Sequence, residues 1–294
     1  MIPKDVIQKI RRIQIRTRHM VSDVFSGHYH SVFKGQGMEF HEVREYVPGD
    51  DIRSIDWNVT ARMGHPFIKK FVEEREMTVM LVVDISASQH FGSSPQLKKD
   101  LSAELTAVLA FSAIQNNDRV GLMLFSEDVE LYIPPAKGVG HVLRLIREAL
   151  YHEPQGRRTR VEPALHYVNH VLTRRAVTFL ISDFIFSEPY EKILKITARR
   201  HDLIGVMVGD KREQSWPKAG LIDWEDTETG ERYVLDTSDA RTRRMLLEQQ
   251  SARKRQTFDI MRSCGMDAVN VYAGEPYDKA LMKFFRTREA RRRV

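Results

Sequence analysis

The run Thr78-Val79-Met80-Leu81-Val82-Val83-Asp84-Ile85-Ser86-Ala87-Ser88 decides how the rest of the chain is read. Thr78 to Val83 is apolar and largely β-branched, and it is too short for a helix of its own. Charged residues from Glu73 to Glu76 precede it. It therefore reads as a strand buried on both faces, the habit of central strands in parallel sheets. At its end Asp84, Ser86 and Ser88 set oxygen ligands on alternate residues, a spacing that lets them converge where the chain is extended or turns sharply. A carboxylate with hydroxyls and water is the all-oxygen set that a hard dication takes.

Outward from this strand, residues 97–116 have the spacing of a long amphipathic helix. Residues 119–125 read as a second buried strand with 129–133 as its hairpin partner, and 142–150 and 161–172 as helices. The third buried strand, 176–182, ends at Asp183. Then come a helix over 188–200, a strand over 202–208 and a β-hairpin within about 217–237, broken at Thr229-Gly230. A charged helix over 238–264, a strand over 268–272 and a helix over 278–286 finish the pattern, with a frayed basic tail after it. On the other side lie a strand at 68–72, an extended Gly-rich stretch over 27–56 and a basic helix over 4–25. Strands alternating with helices predict an α/β fold: a doubly wound, mostly parallel sheet with helices on both faces. An irregular, partly β segment precedes it, and the hairpin is an insertion. Ligands in such sheets sit outside the carboxyl ends of the strands, where the strand order reverses. Asp84 and Asp183, each closing a strand, are expected to meet there.

Composition narrows the function. The chain has 294 residues, 42% of them hydrophobic and 9% aromatic, as in ordinary globular proteins with a real core. Its net charge of +6 suits an acidic partner or simply solubility. One cysteine, Cys264, excludes an intrachain disulfide and fits a reducing compartment. No apolar run approaches the ~20 residues of a membrane span, and the N-terminus lacks the apolar core of a secretory signal. A cytoplasmic protein is expected. There is no glycine-rich dinucleotide or phosphate loop, and His166 and His170 lack the further ligands of a zinc site. Arg286 to Arg293 lacks the interleaved aromatics of a nucleic-acid surface.

Between the two aspartates, Thr159 follows Gln155-Gly156-Arg157-Arg158 and precedes a helix. The ordered set Asp84, Ser86, Ser88, Thr159, Asp183 resembles the metal-ion-dependent adhesion site of von Willebrand factor A domains. That resemblance implies Mg²⁺, or Mn²⁺, held directly by the serines and threonine and directly or through water by an aspartate. An open coordination position would take an acidic residue from a partner. The threonine's surroundings depart from the pattern, because Arg157, Arg158 and Arg160 stand where glycines and an aspartate are usual. Either these arginines splay outward as a rim that recognises an acidic partner, or one folds over Asp84 and Asp183 and replaces the metal.

A second signature runs through Gly35-Gln36-Gly37-Met38-Glu39-Phe40, Arg44 to Trp57 and Ala61-Arg62. It resembles the bacterial domain-of-unknown-function family fifty-eight, whose members pair it with a von Willebrand A-like domain and are typically encoded beside MoxR-type AAA+ ATPases. The resemblance runs from about His28 to the final helix, and the division expected is an N-terminal helix with the signature segment over 1–75, the A-like domain over 76–288 and a basic tail over 289–294. Many members carry transmembrane helices before the signature; this chain resembles the type without them. Glu39, Glu42, Arg44, Asp50, Asp51, Arg53, Asp56 and Arg62 are expected to form an ion-pair network around Tyr46 and Trp57, as scaffold or as partner surface. The implied function is a non-enzymatic, Mg²⁺-dependent interaction module that serves a MoxR-type ATPase or another protein with an exposed acidic residue. The alternatives are a basic nucleic-acid-associated factor and a metal-dependent phosphohydrolase. Against the latter, Ile85 and Ser86 supply neither a second carboxylate nor a nucleophile beside Asp84.

Overall fold

A computed structural model describes residues 13, 39–72, 76–93, 95–186 and 188–292. Apart from Ile13, the helix expected over 4–25 lies outside the described residues. The chain divides into two compact units, one of Phe33–Met77 and one that contains Thr78–Val294.

In the smaller unit, strand β1 (Glu39–Glu45) pairs antiparallel with β2 (Phe67–Val72). Between them lie a 3₁₀ turn at Ile52–Ser54 and a short helix α1 (Trp57–Met63), which periodicity alone does not reveal. Its signals are at its ends. The Asp56 carboxylate accepts the backbone N–H groups of Asn58 and Val59 at 3.0 and 3.3 Å, and Gly64 closes the helix with φ of 76°.

The larger unit begins with β3 (Thr78–Asp84) and continues through α2 (Lys98–Gln115), β4 (Arg119–Phe125), β5 (Val129–Ala136), α3 (Val139–Tyr151), α4 (Val161–Val171) and β6 (Val177–Ser182). It goes on with α5 (Glu191–Arg200), β7 (Asp202–Gly209), the hairpin β8 (Leu221–Glu225) and β9 (Arg232–Asp236), α6 (Ala240–Ser263), β10 (Asp267–Tyr272) and α7 (Asp278–Arg292). Six strands form the main sheet in the order β10-β7-β6-β3-β4-β5, parallel throughout except for β5. The first strand lies in the middle, and successive strands are added first on one side and then on the other. That is the doubly wound order, with its switch point between β3 and β6. The fold is α/β, a six-stranded, mostly parallel sheet flanked by helices.

Val79 to Val83 are at most 1% exposed, and each buried side chain of this size contributes about 1.5–3 kcal/mol. Met80 and Val82 pack with Leu165 of α4, Leu194 of α5 and Met261 of α6. Alternation along the strand sends Val79, Leu81 and Val83 to the opposite face, where α2 and α3 supply the second helical layer.

The frayed tail expected from Arg288 is corrected. Helix α7 runs to Arg292, and Arg288, 8% exposed, pairs with Asp202 and, at 3.5 Å, with Asp267. Arg291 adds a 3.0 Å pair to Asp267. Two aspartates that open the neighbouring strands β7 and β10 draw the basic turn down onto the sheet.

His201 sits between α5 and β7, fully buried, with its Nδ1 accepting the Ala176 N–H at 3.3 Å. Burial, followed by the charges of Arg200 and Arg175, pushes its pKa down to about 4. The unfolded chain takes up this proton near pH 6.5, so the contribution to stability is complete above that pH and is lost as pH falls toward 4. At roughly 3 kcal/mol in full, the effect should appear in melts recorded from pH 7 to 4.5. His201→Gln is expected to flatten that pH dependence by several degrees; a profile parallel to wild type would refute the assignment. Arg288→Ala, which takes the guanidinium from Asp202 and leaves Asp267 to Arg291, is expected to cost about 3 kcal/mol in a denaturant melt.

Candidate functional site

Asp84 closes β3 at the switch point and is 1% exposed. Its Oδ1 accepts the Ser86 N–H at 2.9 Å, and its Oδ2 accepts the Ser182 hydroxyl at 2.6 Å. The Ser86 and Ser88 hydroxyl oxygens stand 3.1 Å apart, both buried. Gln89 is fully buried with its amide nitrogen 3.5 Å from Asp84 Oδ2, and its Oε1 has no partner among the described residues. Burial and then the nearby charge of Asp183 push the Asp84 carboxyl well above the usual carboxylate range, against the hydrogen bonds from Ser182 and Ser86.

Asp183 follows β6, and the chain turns sharply after it: Phe184 adopts φ of 57°, which a side chain of its size seldom tolerates. Burying the Phe184 ring and donating its N–H to Ser182 Oγ at 3.0 Å hold that conformation. Among the described residues the cation that pairs with Asp183 is a lysine, not one of the arginines near Thr159. Lys98, the first residue of α2, donates from Nζ to Asp183 Oδ2 at 2.9 Å and to Glu213 Oε1, beyond β7, at 2.7 Å. The Lys98 side chain is 1% exposed, and its ammonium lies 5.8 Å from the centre of the Phe91 ring. Burial works against its charge, but Asp183 and Glu213 more than compensate and hold the ammonium well above its ordinary pKa.

Thr159 reaches the crevice on a loop fixed by acids of the β4–β5 turn. Glu130 accepts the N–H groups of Gln155 and Gly156 at 3.0 and 3.4 Å, and Glu127 accepts those of Arg157 and Arg158 at 3.2 Å each. Burial raises the Glu130 carboxyl, but the bonds from Ser126, Gln155 and Gly156 bring it below its ordinary range. At Gly156 a Cβ would lie 2.6 Å from Ser126 Oγ and 3.1 Å from Glu127 Cγ, so a larger residue would push these side chains aside. Ala87 N–H donates to the Arg157 carbonyl at 3.0 Å and ties this loop to the Asp84 loop. Thr159 is fully buried, and its hydroxyl donates at 2.5 Å to Glu228 Oε1, from the turn between β8 and β9. Burial and then the charge of Asp183 raise the Glu228 carboxyl, while the bonds from Thr159 oppose them.

The arginines stay out of the crevice. Arg157 and Arg158 are exposed, and Arg160 pairs with Glu188 at 3.0 Å. Among the described residues no three His, Cys, Asp or Glu side chains are grouped to hold a metal. The donor set present is two aspartates plus hydroxyls. All its donors are oxygen, its central carboxylate is destabilised as an anion, and a buried amide oxygen beside it is orphaned; these features fit a hard dication. Sequence reasoning missed Ser182, Gln89, Lys98, Glu213 and Glu228. Ser182 alone carried a local signal, as the hydroxyl just before Asp183.

The expected signature network is corrected in part. Arg44 makes a two-pronged pair with Asp50 at 2.8 and 2.9 Å, which holds that carboxyl below its ordinary range. Asp51 instead accepts the Arg53 N–H at 2.9 Å, and Asp56 caps α1 and meets Lys69 at 3.6 Å. Arg53 and Arg62 are exposed and form no ion pair among the described residues, and Trp57 is 67% exposed rather than enclosed. Local backbone amides satisfied these aspartates before any guanidinium was needed. The side chains of Glu39 and Glu42 lie outside the described residues.

A family described as "Protein of unknown function DUF58" matches residues 42–257. The uncharacterized protein Rv1480 of Mycobacterium tuberculosis is 27% identical over 282 residues, which cover 95% of this chain and 88% of that one. Among solved structures, the conserved hypothetical protein BatB of Bacteroides thetaiotaomicron aligns with a TM-score of 0.49 at 15% identity, covering 73% of this chain and 99% of that one. The SpRpn10 VWA domain aligns at 0.39 and 12% identity, covering 72% and 95%. Among the described residues no helix is long and apolar enough to cross a membrane.

Replacing Lys98 with Met leaves Asp183 and Glu213 without their ammonium. The expected cost is about 3–5 kcal/mol, a fall of roughly ten degrees in melting temperature. In the signature, Asp56→Ala is expected to cost about 1 kcal/mol through the lost helix cap, whereas Arg53→Ala should shift the melt by no more than about a degree. A large effect of Arg53→Ala would restore the network reading.

Proposed function

The chain belongs to the DUF58 family, and from that footing we propose that it is a non-enzymatic protein-interaction module, gripping an acidic residue of its partner through a divalent cation. The observation that carries this reading is Asp84. It is a buried carboxylate flanked by the Ser86 and Ser88 hydroxyls and pressed by a second carboxylate, and Lys98 pairs with that second group instead. Asp84, Ser86, Ser88 and Thr159 would hold Mg²⁺ or Mn²⁺, with Asp183 balancing its charge. When bound, the ion supplies a positive centre that an incoming carboxylate can ligate. Ser182 and the Ser86 N–H orient Asp84, and Glu127 and Glu130 fix the loop that presents Thr159.

Catalysis has little support from these residues. The Ser86 and Ser88 hydroxyl oxygens stand 3.1 Å apart, and the carboxylate that the Ser86 side chain bonds is Asp84, which this reading assigns to the cation rather than to proton transfer. The partner we propose is a MoxR-type AAA+ ATPase, or another cytoplasmic protein with an exposed acidic residue. Arg157 and Arg158, exposed on the Thr159 loop, suit such a partner by charge. The signature offers a separate apolar surface: Val47, Ile52, Trp57 and Met63 are each between 56% and 67% exposed. Large side chains left in water this way in one small unit mark a contact surface.

Pull-down of the purified MoxR-type ATPase with wild type, Asp84→Ala and Thr159→Ala, with and without EDTA, tests the cation. Recovery is expected from wild type in Mg²⁺ alone; equal recovery in all conditions sinks the cation-bridged mechanism. Trp57→Ala is expected to weaken the same complex roughly ten- to thirty-fold, with no change in melting temperature.

A further inference from the structure

The turn between β8 and β9 carries Asp226-Thr227-Glu228-Thr229-Gly230, a charged sequence of the kind that ordinarily faces water. Its Glu228 does not. The carboxylate is half-buried, takes the hydroxyl of the fully buried Thr159 at 2.5 Å and lies close enough to Asp183 to feel its charge. The turn is shaped to present it: Asp226 Oδ1 accepts the N–H groups of Glu228 and Thr229 at 2.9 and 3.2 Å. Behind the tip, the Trp224 ring packs at a tilt against Trp216, centroids 4.9 Å apart, and against Phe91 at 6.5 Å, so an aromatic clasp holds the hairpin near the crevice.

The rest of the hairpin is lightly held. Among the described residues its strands pair with each other and not with the main sheet, and Leu221, Tyr233 and Val234 are between 49% and 73% exposed. A two-stranded hairpin of this kind is marginal on its own in water and opens readily. A carboxylate is therefore delivered to the threonine of the site by an element able to leave. Beside Asp84, the fully buried Gln89 has an Oε1 with no partner among the described residues.

We propose that Glu228 is an internal ligand of the cation site: the β8–β9 hairpin places its own carboxylate where a partner's acidic residue would go, and a partner binds by displacing it. The inference rests on the cation reading above and adds to it a named occupant of the open position. It makes partner binding an exchange of one carboxylate for another at the same ion, with Trp224 setting how readily the first one leaves.

Mn²⁺ alone is the probe, titrated by calorimetry and by water-proton relaxation into wild type, Glu228→Gln and Trp224→Ala. With Glu228 as a ligand, wild-type Mn²⁺ is expected to hold fewer exchangeable waters. Glu228→Gln should bind Mn²⁺ about tenfold more weakly and show higher relaxivity per bound ion. Added acetate should lower that relaxivity in the variant and leave wild type unchanged. Trp224→Ala, which keeps the carboxylate but loosens the hairpin, should move relaxivity in the same direction. Equal affinity and relaxivity in wild type and Glu228→Gln would overturn the internal ligand while leaving the cation site standing. Failure of all three proteins to bind Mn²⁺ at millimolar concentration would overturn both. A circular-dichroism melt of each variant shows that it is folded.

Discussion

Negative charge must be kept at the carboxyl end of one sheet, and the Lys98 ammonium is what makes this tolerable. Asp84, Asp183, Glu213 and Glu228 gather around the switch point, and among the described residues Lys98 is the cation hydrogen-bonded into the set. Desolvating an ammonium costs several kcal/mol unless its partners are well placed. Two carboxylates, at 2.9 and 2.7 Å, meet that condition here. Because Lys98 opens α2, Asp183 ends β6 and Glu213 follows β7, a single side chain links three connections across the sheet. The first turn of α2 and the loops after β6 and β7 are fixed relative to one another by it.

This arrangement also separates two roles that sequence reasoning had merged. A positive side chain was considered as a substitute for the metal, but from the arginines around Thr159. Those arginines stay outside: Arg157 and Arg158 are exposed, and Arg160 pairs with Glu188. The internal cation arrives from the helix after β3 and neutralises Asp183 instead of Asp84. Asp84 is left with hydroxyls, a backbone N–H and an amide, none of which carries charge. One half of the crevice is satisfied from within, and the other half retains an anion that burial disfavours.

The strands were legible because burial on both faces leaves an unmistakable mark on sequence. Thr78–Asp84 and Arg119–Phe125 read as uninterrupted apolar runs, and their ends place Asp84 and the β4–β5 turn. Asp183 was legible for the same reason. Lys98 and Glu228 were not, since a lysine at a helix start and a glutamate in a charged turn look solvated, and only tertiary packing brings them 85 residues from Asp183 and 69 from Thr159 in sequence. In the signature, the acids and arginines were visible but their pairing was not. Asp51 and Asp56 found backbone donors two and three residues away, a local solution that outcompetes a long-range ion pair with its larger entropic cost.

The charge pattern gives the site a logic of its own. Exposed Arg157 and Arg158 on the Thr159 loop would steer the acidic partner proposed above, yet the crevice they border is itself negative. A carboxylate drawn in by the rim meets Asp84, Asp183 and Glu228 and is repelled unless positive charge is added among them. On the proposed cation reading, steering and admission are set by different groups, the arginines outside and the ion within. A basic surface alone would collect acidic partners indiscriminately. On that reading an acidic crevice behind it would reject each of them until a cation is bound, so the same residues that make the site costly to bury would also make its occupancy conditional.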